Sequence, residues 1–384
     1  MMTQIDQPWL NKAETQAVCN AITAEGAQLY FVGGCVRNAL MGVPVSDLDL
    51  STNARPETVM QLAKKAGLKV IPTGIDHGTV TVISGGVPFE ITTFRKDVAT
   101  DGRRATVAFS TDISDDAARR DFTMNAIYAR PDGSLIDPLG GMADLNARRV
   151  RFIGTAQNRI REDYLRSLRY FRFHAWYGDH EAGFDPEALA AIAANLDGLG
   201  QLSRERVGAE LLKLLAADDP APAVAAMRQS GVLFELLPGS DDRALAPLIH
   251  FEADLRPNPI RRLAALGGPE VSEHLRLSKA QTTSWTVLRE QAVGTKRAAE
   301  LGYRLGKTQA LDVMLLRSAL LEQPTNPNLE TDIAQGAEAK FPLSAKDLMP
   351  NISGKALGET LKRLESEWIA SGFSLNREAL LARL

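Results

Sequence analysis

The chain has 384 residues, too many for one ordinary core and enough for about two to four domains. Hydrophobic residues make up 45% and charged residues 24%, ordinary globular values that exclude disordered and fibrous classes. A net charge of −3 excludes a uniformly basic nucleic-acid binder, yet the stretch from Arg95 to Phe173 holds 15 Lys and Arg against 11 Asp and Glu, all but one of the 15 being arginine. Arginine grips phosphate with two parallel hydrogen bonds, so this local excess points to charged substrates handled at one site. No apolar run approaches the ~18–20 residues that span a membrane. The opening residues carry no basic-then-apolar signal pattern, and Cys19 and Cys35 alone supply neither a disulfide framework nor a zinc cluster. The expectation is a cytoplasmic protein without a membrane partner.

In chain order, Leu29–Val32 reads as a buried strand ending in Gly33-Gly34, and Asp47-Leu48-Asp49-Leu50 alternates as a strand does. A helix is predicted over 56–66, opened by Pro56 and stopped by Gly67. Strands at 79–83 and 87–94 flank Ser84-Gly85-Gly86 as a hairpin. Further strands are predicted at 126–129, 135–136 and 150–153. After Gly154 the pattern is helical, with helices at 160–176, 186–196, 204–217, 221–229 and 281–305. The composition therefore divides the chain into an α+β head over 1–155, a helical neck over 156–240, and a helical body and tail over 241–384.

Four constellations carry chemistry. Gly33-Gly34-Cys35-Val36-Arg37 places backbone N–H groups and a guanidinium where a phosphate can approach. Asp47 and Asp49, at i and i+2, project from one strand face and gather the hard oxygens that Mg²⁺ prefers. Glu90, flanked by Phe89 and Ile91, is either a third metal ligand, a base for an RNA hydroxyl, or a solvent-facing strand residue. In Arg119-Arg120-Asp121, Arg120 suits a phosphate or ribose and Asp121 can accept from ribose hydroxyls. In the helix predicted over 160–176, Asp163 and Arg166 are i,i+3 neighbours, Arg169 continues their row, and Arg172 lies about half a turn from Asp163. Taken alone, that helix also reads as a surface laced with ion pairs such as Glu162–Arg166.

The ordered set resembles the family of class II tRNA nucleotidyltransferases and bacterial poly(A) polymerases. Residues 33–52 are similar to its motif A, 119–126 to motif B, 137–145 to motif C, and Glu162-Asp163-x-x-Arg166 to motif D. The resemblance implies a polymerase-β-like nucleotidyltransferase palm as head, followed by an all-helical neck, body and tail. It implies that Asp47 and Asp49 bind Mg²⁺, that Gly33, Gly34, Arg37, Arg120 and Asp121 contact the nucleotide, that Asp163 and Arg166 read the base, and that Arg169 and Arg172 lie nearby. Residues 96–104 resemble the flexible loop needed to switch from C to A addition. Asn38 stands where the family pattern has an aspartate. The implied activity is template-independent addition of C, C and A to the 3′ end of tRNA from CTP and ATP, with no DNA partner. Alternatives are a poly(A) polymerase, an A-adding or CC-adding relative, or a catalytically inactive RNA-binding protein. Retention of both Asp47 and Asp49 speaks against the last. The oligomeric state is open.

Overall fold

Helix α1 (Ala13–Thr23) turns Val18, Cys19 and Ile22 inward. It leads to strand β1 (Leu29–Val32), in which every residue is buried. Gly33, at φ 77°, then swings the chain directly into α2 (Gly34–Met41), a backbone that a Cβ would strain. β2 (Asp49–Thr52), α3 (Pro56–Lys65), β3 (Lys69–Gly74), β4 (Thr79–Ser84) and β5 (Val87–Thr93) follow. Gly85 and Gly86, both at positive φ, make the β4–β5 turn, and a Cβ on Gly85 would stand 2.3 Å from Glu14 Cγ on α1.

The computed structural model describes residues 3–101 and 104–384. Its backbone next forms a two-stranded ribbon of β6 (Arg95–Asp101) and β7 (Arg104–Phe109). This ribbon coincides with the segment that resembles a flexible loop, of which Gly102 and Arg103 lie outside the described residues. α4 (Ile113–Ala118), β8 (Tyr128–Ala129), β9 (Leu135–Ile136) and α5 (Gly141–Asn146) complete the head. Its main sheet runs β3-β4-β5-β2-β1-β8-β9, with β2 parallel to β5 and antiparallel to β1.

Two strand expectations change, and one strand was not foreseen. β2 begins at Asp49, so Asp47 lies in the preceding irregular segment instead of on the strand. β3 was not foreseen because its residues are mostly exposed and show no inward apolar alternation. Residues 150–153 contribute only an isolated bridge, Phe122 to Phe152, since Phe152 packs as a core ring against Phe122 and Tyr170.

The helix expected over 160–176 is two helices, α6 (Ala156–Glu162) and α7 (Leu165–Tyr177). Asp163 between them is extended, φ −155° and ψ 106°. Its carboxylate accepts from Leu165 N at 3.1 Å. An aspartate that caps the backbone two residues on competes with helix continuation. α8 (Pro186–Ala193) and α9 (Arg204–Leu215) follow, α9 opened by Ser203 accepting from Arg206 N.

The chain forms two compact units, meeting in sequence between Leu236 and Leu237. The second is helical. Its core gathers Leu248, Leu288, Leu301, Val313 and Leu316, all fully buried. The helix expected over 281–305 is broken into Lys279–Ala292 and Ala298–Leu305, the break falling at Gly294, a residue that favours interruption. Helices Ala298–Leu305 and Leu329–Glu338 approach so closely that a Cβ on Gly336 would stand 1.8 Å from Ala299 O. Among the described residues no helix is long and apolar enough to cross a membrane.

Candidate active site

The end of β1, the start of β2 and the middle of β5 lie side by side in the sheet, and this adjacency builds the site. Asp49 pairs in register with Glu90 across the parallel β2–β5 ladder. Asp47, two residues upstream, accepts from Ser46 Oγ at 3.0 Å. Partial desolvation raises the Asp49 carboxyl above the usual range, the negative charges of Glu90 and Asp47 add to the rise, and Arg120 partly offsets it.

Asp47 and Asp49 line two cavities at once. One, of about 510 Å³, is also lined by Gly33, Gly34, Arg37, Arg120, Asp121, Asn125, Arg169, Arg172, Phe173, Tyr177 and Lys213. The other, of about 800 Å³, adds Trp9, Lys12, Glu14, Pro88, Phe89 and Glu90. The two aspartates thus stand between a basic chamber and a second, largely uncharged or acidic one.

The basic chamber is braced by side chains that hold one another. Arg120 Nη2 donates to Asp116 Oδ2 at 2.9 Å and to Ser51 Oγ at 3.2 Å, and Arg120 Nε donates to Tyr128 Oη at 3.2 Å. Asp116 is fully buried and also accepts from Tyr128 Oη at 2.8 Å and from Arg119 Nε at 2.9 Å. Burial would raise the Asp116 carboxyl, but Arg120 and Arg119 hold it below the usual range. Asp121 behaves likewise: burial opposes its charge, and Arg169 and Asn125 hold it low. Arg169 Nε donates to Asp121 Oδ2 at 2.8 Å, and Asn125 Nδ2 to Asp121 Oδ1 at 2.8 Å. Arg172 donates to buried Glu210 on α9.

Arg37 differs from these. Its hydrogen-bond acceptors are all neutral: Asn125, Tyr177 Oη at 2.9 Å, and Asn38 Oδ1 at 2.9 Å. Asn38, in place of the aspartate of the family pattern, gives polar support without neutralising charge. Burial lowers the Arg37 guanidinium. Its ring contacts, 4.0 Å to the Tyr177 centroid and 5.0 Å to Phe173, stabilise the cation. Arg169 and Arg172 also stand over the Phe173 ring, at 5.3 and 4.7 Å.

The sequence-expected residues are therefore brought together except for Asp163 and Arg166. Gly33, Gly34, Arg37, Asp47, Asp49, Arg120, Asp121, Arg169 and Arg172 share the basic chamber, and Glu90 lines the second cavity. Asp163 and Arg166 are not among the lining residues. Asp163 Oδ2 accepts from Arg206 Nη2 at 2.6 Å. Arg166 donates to Glu162 and, at 3.1 Å, to the Arg119 carbonyl. The break at Asp163 removes them from a common helix face. Asp116, Asn125, Phe173, Tyr177, Glu210 and Lys213 were missed by sequence reasoning. Only Asp116 left a signal, its i,i+3 and i,i+4 spacing to Arg119 and Arg120.

Among the described residues no three or more His, Cys, Asp or Glu side chains form a metal-holding group by themselves. Asp47 and Asp49 still fit a hard divalent cation, because Mg²⁺ is commonly held by one or two carboxylates with substrate phosphates and waters completing the shell.

Comparison with known proteins places this arrangement. Residues 29–151 match the family described as Poly A polymerase head domain, and 183–243 match a probable RNA and SrmB-binding site of polymerase A. The mitochondrial CCA tRNA nucleotidyltransferase 1 of Mus musculus is 33% identical over 375 residues, covering 93% of this chain and 86% of the relative. The CCA-adding enzyme of Geobacillus thermodenitrificans is 32% identical, covering 92% and 88%. The crystal structure of the Bacillus stearothermophilus CCA-adding enzyme in complex with CTP superposes with a TM-score of 0.77 at 28% identity, over 98% of both chains. The polymerase-like head with helical continuation expected from the sequence is the fold of that structure. With relatives of this identity and coverage, the chain belongs to the family of CCA-adding tRNA nucleotidyltransferases.

Proposed function

We propose that this enzyme adds C, C and A to the 3′ end of tRNA, using CTP and ATP and releasing pyrophosphate. The observation that carries the reading is the position of Asp47 and Asp49 on the wall shared by a basic chamber and a second cavity. The basic chamber suits a nucleoside triphosphate, and the second cavity suits the RNA end that receives it. Enzymes of this family generally use divalent metal ions, and we assign Mg²⁺ to Asp47 and Asp49. When bound, such an ion lowers the cost of negative charge on the attacking and leaving oxygens.

The rest follows from the chain's own side chains. Arg37, Arg120, Arg169 and Arg172 bind the phosphates and the ribose edge, while Gly33 and Gly34 allow close approach. Gly33 holds φ 77°, a backbone that a side chain would strain. Asp121 accepts from a ribose hydroxyl. The terminal RNA hydroxyl oxygen bonds to the α-phosphorus as the bond to the bridging oxygen breaks, and that electron pair leaves with pyrophosphate. Glu90, beside Asp49, accepts the hydroxyl proton. Orientation of the two substrates supplies much of the rate.

Asp163 and Arg166 select the base. Cytosine and adenine offer an amino donor beside a ring-nitrogen acceptor, matching a carboxylate that accepts and a guanidinium that donates. Arg206 and Leu165 N leave Asp163 with spare acceptor sites. Arg166 is one turn before Arg169 on α7, so the reading pair adjoins the chamber. The two cysteines are free and buried, in keeping with a cytoplasmic setting.

The test is incorporation of labelled CMP into tRNA lacking its last three nucleotides. Wild type incorporates label and Asp49→Asn does not, with the loss at least about a hundredfold, the scale set by one electrostatic group at a reacting centre. Near-normal incorporation by Asp49→Asn would move the reaction elsewhere.

A further inference from the structure

Five cations line the basic chamber, and they differ in what already holds them. Arg120 is bound to Asp116, Arg169 to Asp121, and Arg172 to Glu210. Each of these charges is largely spent on a protein carboxylate, and a phosphate reaching it must share. Two cations donate to no carboxylate among the described residues. Arg37 has only neutral acceptors, as described above. Lys213 is exposed, and its ammonium has no carboxylate partner among the described residues.

Lys213 is nevertheless well placed. It stands near the end of α9, three residues after Glu210, so both project from the same side of the helix. Glu210 reaches inward to Arg172, while Lys213 reaches the chamber from further along the helix. Trp176 Nε1 on α7 donates to the Lys213 carbonyl at 2.8 Å, fixing the backbone from which the side chain extends. A flexible four-carbon stem carrying a compact charge suits a mobile anion better than a base edge, which requires fixed donors and acceptors.

We propose that Lys213 binds the terminal phosphates of the incoming nucleoside triphosphate and the pyrophosphate that leaves. The assignment rests on the chamber being the nucleotide site and adds a residue to it. Because the triphosphate is common to CTP and ATP, Lys213 contributes equally to both and takes no part in base choice. It acts with Arg37 as the pair of chamber cations that donate to no protein carboxylate.

The experiment compares Lys213→Ala and Lys213→Arg with wild type. Lys213→Ala raises KM for CTP and for ATP by the same factor, roughly fivefold, as expected for a solvent-accessible charge pair. It weakens product inhibition by pyrophosphate by a similar factor. KM for tRNA and the melting temperature stay unchanged, and Lys213→Arg restores most of the loss. An unchanged nucleotide KM, a shift confined to tRNA KM, or unequal factors for CTP and ATP would each overturn the assignment. Direct titration with CTP in the absence of RNA separates the two levels of the reading. If wild type binds CTP and Lys213→Ala binds it equally well, the Lys213 assignment fails alone. If wild type binds no CTP, the nucleotide site itself is misplaced.

Discussion

Asp116 shows how far a single residue reaches in this head. Its buried carboxylate ties Arg119, Arg120 and Tyr128 together, so it positions a chamber-lining guanidinium without facing the chamber itself. Removing one partner of a buried charge network costs about 3–5 kcal/mol. Asp116→Asn should lower stability by that order in a denaturant titration and raise KM for CTP and ATP together. Acid should expose the same dependence. Asp116 is held below its ordinary value in the folded state, so its contribution is complete above the unfolded-chain pKa of about 4 and is lost as pH falls through the folded one. Wild-type stability should therefore drop more steeply below about pH 4 than that of Asp116→Asn, and parallel curves would contradict the assignment. Asp47, Asp49, Arg37 and Arg120 were legible in the sequence because hard ligands, glycines and arginines cluster within short motifs. Phe173 and Glu210 were not, since their roles depend on neighbours brought in by folding, and Asp116 left only its i,i+3 and i,i+4 spacing to Arg119 and Arg120. Nothing in the sequence Arg172-Phe173 indicates that one ring underlies three guanidiniums.

Among the elements, the α6–α7 break matters most. Periodicity read one helix because Ile160, Leu165, Leu168 and Phe171 are apolar at helical spacing and are all buried. The break was invisible to that pattern, since the capping contact of Asp163 is local and polar. Its consequence is that Asp163 turns to Arg206 on α9, while Arg166 turns to Glu162 and the Arg119 carbonyl. If the pair reads the base, Asp163→Ala should relax rejection of UTP and GTP. Uracil and guanine each present the reverse donor–acceptor order, leaving groups unpaired at ~1–3 kcal/mol each. Measuring kcat/KM for all four nucleotides decides this. A uniform rate loss with unchanged preference would reduce Asp163 to a cap that anchors α7. The β4–β5 hairpin, by contrast, was legible because Ser84-Gly85-Gly86 specifies its turn directly. β3 was not, because a mostly exposed strand carries no alternating apolar signature.

At the scale of the whole molecule, an α+β head and a helical remainder could be read from composition and periodicity. The helices Ala298–Leu305 and Leu329–Glu338 were less accessible. Their contact depends on Gly302 and Gly336 meeting backbone across the interface, and a glycine within a helical pattern ordinarily signals weakness instead of close packing. Function required the ordered set of motifs together with the two cavities that meet at Asp47 and Asp49. On this reading one chain, without a nucleic-acid template, chooses three nucleotides in order and then stops. This is tested most directly by sequencing the 3′ ends of tRNA that lacked its last three nucleotides, after incubation with the enzyme and all four nucleoside triphosphates. The expected ends read C-C-A and extend no further. Long A tails, ends stopping at C-C, or incorporation of U and G in proportion to their supply would contradict that reading.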